Sequence, residues 1–174
     1  MRASRCTIDS SCIIALDHLD LVPELSLLFS IVLVPRAVRS ELFKRPDTQD
    51  RLERIFDDYS FFQRCDDYEQ GTVDILLKER TREEGQDHGE VETVVQASEL
   101  GAIVIVDDLW GRKLAEHYDL EVHGTLWVLQ RLHELNLLSS TVLRESFVSL
   151  CLRGTRLPWD IVNTLLAHIG QQPI

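Results

Sequence analysis

The sequence has no stretch approaching the roughly 20 uninterrupted apolar residues that a membrane-spanning helix requires. Its longest greasy run, from about Leu25 to Val34, is broken by Ser26 and Ser30 and closed by Pro35. That absence argues against a helical span and predicts a soluble chain. The N-terminus carries Arg2 and Arg5, but Asp9, Asp17 and Asp20 stand where a secretory signal would have its apolar core. Secretion is therefore not expected, and a cytoplasmic location is. Cysteine is scarce and scattered: Cys6, Cys12, Cys65 and Cys151 form no C-x-x-C pair and have no histidine at zinc-site spacing. All four read as reduced thiols. There is no Gly-rich phosphate loop and no G-x-G-x-x-G, so the phosphate-cradling motifs are missing. Positive charge is short as well, with 18 Lys and Arg against 29 Asp and Glu and a formal net charge of -11. Such a field repels a polyanion, so any work on nucleic acid must depend on local basic patches and bound metal. The same acidity also suits mere solubility, a halophilic host or a basic partner protein.

What is present is chain enough for one core: 174 residues, 44% of them hydrophobic, make one domain but hardly two. Short apolar runs followed by helical patterns are the signature of a wound α/β domain. Cys6-Thr-Ile-Asp9 predicts a strand ending in an acid, with Ser10-Ser11 placed to cap a helix through Ile13, Ile14 and Leu16. Ile31-Val-Leu-Val34 is continuously apolar, as a strand buried on both faces is, and Pro35 suits the start of a helix. Gly101-Ala-Ile-Val-Ile-Val106 repeats this and runs into Asp107-Asp108 and a helix with Leu114 and Ala115. Leu120-Glu-Val-His123 leads through Gly124-Thr125 into a helix with Leu126, Leu129 and Leu132 on one side. Phe61-Phe62 is a candidate for a further short strand. Helices are expected at about 50–57, 73–84 and 89–100, and from Ser139 onward come two more, separated by Gly154, with Pro158 near the start of the second. The charged stretch from Lys78 to Glu90 reads as a solvated helix face rather than a loop. No internal repeat or low-complexity tract is present.

In an open parallel sheet, loops at the carboxyl ends of the strands converge on one crevice, and chemistry collects there. Asp9 ends the first strand and Asp107 and Asp108 end the third, so side chains far apart in sequence come within reach. Glu41 lies on the helix after the second strand, and Glu90 opens the helix before the third. Each acid has a plain structural alternative: an N-cap or Asx turn for Asp9 and Asp108, a solvated or first-turn helix charge for Glu41 and Glu90. Those alternatives leave the shared strand-end placement without a reason. Carboxylates held close together repel and need compensating positive charge. A hard divalent cation supplies it, and an all-carboxylate set without His or Cys fits Mg2+ or Mn2+ better than zinc. Such an ion activates water and stabilises charge on phosphate, in one- or two-metal form, so the chemistry implied is phosphodiester hydrolysis.

Three segments, Ile8-Asp-Ser-Ser-Cys-Ile-Ile-Ala-Leu16, Val34-Pro-Arg-Ala-Val-Arg-Ser-Glu-Leu42 and Gly89-Glu-Val-Glu-Thr-Val-Val-Gln-Ala97, resemble the successive motifs of PIN-domain proteins. Asp107-Asp-Leu-Trp-Gly-Arg-Lys-Leu-Ala115, Val122-His-Gly-Thr-Leu126 and Leu132-His-Glu-Leu-Asn-Leu-Leu138 look like a prokaryotic PIN subgroup related to VapC-type toxins. Gly154-Thr-Arg-Leu-Pro-Trp-Asp160 resembles that subgroup's entry into its C-terminal helix. The likeness covers nearly the whole chain and is weakest from Phe43 to Asp87. It implies a three-layer α/β/α fold with a central parallel sheet of about four or five strands, one domain over 1–174, and C-terminal helices appended from about 139. Carried over by position, it makes Asp9, Glu41, Glu90 and Asp108 the catalytic and metal-binding quartet, with Asp107 an adjacent candidate. It further implies metal-dependent cleavage of single-stranded RNA, in many relatives by a toxin neutralised by a small antitoxin, and a homodimer.

Where the family often has Thr or Ser two residues before its last acid, this chain has Val106, which removes a polar helper and leaves open whether Asp107 or Asp108 faces the metal. Ser10 or Ser11 is available to orient a carboxylate or water instead, though a plain N-cap role is the simpler expectation. Candidate contacts to the RNA backbone are Arg36, Arg39, Lys44, Arg45, Arg112 and Lys113, which flank the acidic motifs; singly, each reads as a solvated cation. The six histidines, His88, His117, His123 and His133 among them, are scattered and read as surface or half-buried groups. Trp110, Trp127 and Trp159 lie in apolar helical patterns and read as packing rather than base-stacking platforms. Leu143, Phe147, Val148, Leu150, Ile161 and Leu165 suit either a dimer face or a cover for the core. Two rivals remain: a non-catalytic PIN-fold module that binds RNA or a protein, and a receiver-like phosphoacceptor domain. The second lacks a suitable lysine after a late strand and gives Glu41 and Glu90 no role.

Overall fold

The computed structural model describes residues 3–44, 46–79 and 88–174. In chain order these form β1 (Ala3–Ile8), α1 (Ser10–Asp17), α2 (Leu25–Leu28), β2 (Phe29–Val34), α3 (Arg36–Leu42), α4 (Pro46–Asp58), β3 (Phe62–Arg64) and α5 (Gln70–Glu79). There follow α6 (His88–Leu100), β4 (Ile103–Ile105), α7 (Leu109–His117), β5 (Val122–His123), α8 (Thr125–Glu134), α9 (Ser140–Leu152) and α10 (Trp159–His168). All strand pairs are parallel, and the order across the sheet is β3-β2-β1-β4-β5. Cys6 of central β1 lies opposite Val32 on one side and Ile103 on the other. The chain winds outward from β1 to β3, then returns to β4 and continues to β5, so the strand order reverses between β1 and β4. Beyond the carboxyl ends of those two strands the connecting loops part, and a crevice results.

The expected α/β/α layering follows from side-chain alternation along strands buried on both faces. Ile105 of β4 joins a large core with Ile13, Leu16, Phe29, Leu129 and Phe147, whereas Val104 and Val106 join a second cluster with Val94, Leu114 and Ala115. Helices α9 and α10 add Leu143, Phe147, Leu150 and Val162 to the large core, so they chiefly cover the sheet's helical layer. Among the described residues no helix is long and apolar enough to cross a membrane. All four cysteines are free thiols, Cys6 and Cys12 buried.

Three local differences from the sequence reading have physical causes. The run from Leu25 to Val34 is split into α2 and β2, because a continuous apolar run carries no period to separate helix from strand. Helix α4 begins at Pro46, several residues before the first apolar position of its stripe. Helix α5 spans Gln70–Glu79. Residues 80–87, and with them most of the charged stretch, lie outside the described residues, as does Arg45.

Candidate active site

Asp9 follows β1 directly, and its amide donates to the Ile105 carbonyl of β4 at 3.0 Å. It is itself the N-cap of α1: Oδ2 accepts the Ser11 amide at 3.1 Å and the Ser11 hydroxyl at 2.6 Å. Ser10 instead donates its hydroxyl to Glu41 Oε2 of α3 at 2.5 Å. The serines therefore hold carboxylates rather than cap the helix, a correction with a simple cause. The aspartate sits one position earlier, and its negative charge gains from the helix dipole as well as from the capping bond. Glu41 also lies against the start of α6, where a Cβ on Gly89 would stand 2.8 Å from Oε1 and 2.9 Å from Oε2. Only glycine lets α6 begin there. One residue on, Glu90 occupies the first turn of α6 at 5% exposure, comparable to the 3% of Asp9.

The aspartate pair after β4 divides its work between two helices. Asp107 accepts the Thr125 amide at 2.8 Å through Oδ1 and the Thr125 hydroxyl at 2.6 Å through Oδ2. It thereby serves the start of α8, whose own N-cap is Gly124 and has no side chain to offer. Asp108 is exposed and caps α7, its Oδ1 accepting the amides of Trp110 at 2.7 Å and Gly111 at 3.3 Å. Near both aspartates lies the buried thiol of Cys12, on α1. Burial first, then the negative charges of Asp107 and Asp9, push it well above its ordinary value. A single thiol that feels both acids puts both within electrostatic reach of it.

Asp9, Glu90, Asp107 and Asp108 line a cleft of about 640 Å³ together with Ser10 and Ser11. Glu41 stands behind it, joined through Ser10. The far wall comes from the turn between α9 and α10 and carries Arg153, Thr155 and Arg156. Gly154 at φ 72° makes that turn, with Thr155 N–H bonded to the Leu150 carbonyl at 3.0 Å and Gly154 N–H to the Cys151 carbonyl at 2.9 Å. This is a Schellman cap, which favours glycine at its left-handed position. Both arginines are exposed, and neither joins an ion pair among the described residues. Nothing in the sequence marks them as site residues; Arg156 lies in the Gly154-Thr-Arg segment that resembles a helix entry.

The cations that were expected to face RNA have other surroundings. Arg39 is only 14% exposed; it donates to the Val34 carbonyl at 2.7 Å and pairs with Asp66 at 2.9 Å, so it braces the end of β2. Arg36 lies 3.7 Å from the same Asp66 but is largely exposed. Arg112 donates to the Val106 carbonyl at 3.2 Å, while Lys44 and Lys113 are exposed.

The donor set in the cleft is all oxygen, which suits Mg2+ or Mn2+ in kind. Among the described residues, however, no three His, Cys, Asp or Glu side chains are close enough together to hold an ion. The carboxylates share a cleft rather than one ligand sphere, because Ser11, Ser10, Thr125 and the α7 amides each hold one of them in place.

Fold and cleft together define a class: a parallel α/β domain with carboxylates collected where the strand order reverses. A PIN-domain family model matches residues 5–171, and the chain belongs to that family, whose members are typically nucleases. Comparison with curated proteins gives no match.

Proposed function

We propose that this chain is a Mg2+- or Mn2+-dependent endoribonuclease that hydrolyses phosphodiester bonds in single-stranded RNA. One observation carries the reading: carboxylates from three separate parts of the chain, Asp9, Glu90 and Asp107-Asp108, open onto a single cleft whose far wall bears Arg153 and Arg156. Asp9, Glu90 and Asp108 are the cleft carboxylates that would have to draw together around the ion, Asp108 because its Oδ2 accepts no hydrogen bond among the described residues. When bound, the metal supplies positive charge opposite the carboxylates and the scissile phosphate and makes water a better nucleophile. The protein does the rest. Ser11 fixes Asp9, Ser10 fixes Glu41, and the Thr125 hydroxyl on Asp107 supplies the polar helper that Val106 does not. Arg153 and Arg156 bind the phosphates that flank the bond to be cut, for which a guanidinium fork is suited. In the same reading the protein is a cytoplasmic homodimeric toxin with a small antitoxin as partner. Leu152 at 84% exposure offers apolar surface for such contacts.

Cleavage of a mixed single-stranded RNA with Mn2+, run beside EDTA and Asp9→Asn, tests the proposal. Cutting should require metal and fall about a hundredfold or more in the variant, as loss of one charged catalytic group commonly does. RNA left intact by the wild type at high enzyme concentration would sink the nuclease reading. The lack of a ready ligand group among the described residues favours one alternative, a non-catalytic PIN-fold module that binds RNA or a protein. RNA binding without any hydrolysis by the wild type is what that alternative predicts.

A further inference from the structure

A second cavity, of about 530 Å³, adjoins the acidic cleft and shares Asp107, Leu109 and Arg156 with it. We infer that this cavity is a subsite for one nucleotide of a single strand, the neighbour of the phosphodiester bond placed in the acidic cleft. The inference rests on the nuclease reading for its orientation but not for its binding chemistry.

Its wall contains a stacked aromatic pair, which presents ring edges and the outer imidazole face rather than an open indole. The rings of His123 and Trp127 are stacked 3.9 Å apart at 7°, and Trp127 is backed by Phe29 at 6.2 Å. The lining also includes Leu109 and Ile161, large apolar side chains 65% and 54% exposed. Apolar and aromatic surface of this kind in a concave site is what an unstacked base covers, since every base offers a π-face. Phosphate chemistry is at hand in the same cavity. Arg112 is held to the Val106 carbonyl through Nη1, and Arg156 stands in the wall common to both cavities, where the phosphate joining two nucleotides would lie. A base paired in a duplex could not enter, so the occupant is single-stranded. Trp127, expected from sequence to be packing alone, is half-buried between His123 and Phe29 and also lines this cavity.

The test measures binding without cutting. Fluorescence anisotropy in EDTA compares a labelled RNA hexamer with a backbone-only hexamer that has ribose and phosphate but no bases, on wild type and on Leu109→Ser/Ile161→Ser. Both substituted residues are more than half exposed, so the fold is retained. The double variant should bind the intact hexamer about tenfold more weakly, the loss of roughly one apolar side chain's cover over the base, and the backbone-only hexamer as the wild type does. Equal weakening of both probes, no weakening of either, or no binding of the hexamer by the wild type overturns the subsite. Failure of hydrolysis with Mn2+ alongside the expected binding pattern would remove the nuclease reading and leave the subsite standing.

Discussion

Gly124 has an ordinary extended backbone, so its need for glycine is steric: a Cβ would lie 2.3 Å from Asp107 Oδ1 and 3.2 Å from the Val106 carbonyl. Gly124→Ala must therefore displace Asp107 or the start of α8. It should cost about 1–3 kcal/mol in urea unfolding, as overpacking does, and slow RNA cleavage as well. An unchanged midpoint would mean that Asp107 yields without consequence and is not a fixed part of the site. At this scale the sequence was most informative about the acids, because Asp9, Asp107 and Asp108 each end an apolar strand and the sheet order does the rest. It was least informative about what holds them. Whether Ser10 caps a helix or reaches Glu41 depends on where α3 packs, and Arg39 reads as a surface cation until Asp66 is brought beside it.

Helices α3 and α6 carry Glu41 and Glu90, and a buried acid between them fixes their relation. Glu92, 5% exposed, accepts the Ala37 amide in the first turn of α3 at 2.7 Å. Burial first, and then the neighbouring Glu92 carboxylate, push the Tyr68 phenol well above its ordinary value. Glu92→Ala leaves a helix amide without its acceptor, and should cost about 1–3 kcal/mol. Because α3 then loses its anchor on α6, cleavage should fall beyond what the stability loss alone explains, while Glu92→Gln keeps an acceptor oxygen and recovers most of both. Equal activity in wild type and Glu92→Ala at a temperature where both are folded would show that the two helices keep their places without it. Elements with a clear period or a punctuating residue were legible, such as β2 ahead of Pro35 and α9 ahead of Gly154. Two-residue β5 is shorter than the Leu120–His123 run suggests and four-residue α2 has no signal of its own, since pairing and tertiary contact set such short elements more than propensity does.

Alkaline stability belongs to the whole molecule. Cys6 sits in the central strand, completely buried, and burial raises its thiol well above the ordinary 9.0. In the unfolded chain the same thiol ionises near that ordinary value, so its contribution is complete below about pH 9 and is lost as pH rises beyond it. Urea midpoints should be flat from pH 7 to 8.5 and decline above about pH 9. Cys6→Ala should start lower, through its small cavity, and decline less steeply. A variant with the same slope as the wild type would assign the alkaline loss elsewhere, first to Cys12, the other completely buried thiol.

Net charge sets a second global constraint, because a molecule of formal charge -11 must hold RNA by a few local contacts against an opposing field. The two cavities together offer Arg112, Arg153 and Arg156 as phosphate partners. Each phosphate contact on a single strand contributes a slope of about −0.7 to log affinity against log salt, so the wild type should show a slope of about −2. Arg153→Gln/Arg156→Gln should weaken RNA binding in EDTA and remove about 1.4 of that slope. Arg39→Gln, whose guanidinium is engaged by the Val34 carbonyl and Asp66, should instead lower stability and leave the slope unchanged. A wild-type slope much steeper than −2, unmoved by the double variant, would place the RNA on a different face, since cations outside the two cavities would then be releasing the counterions.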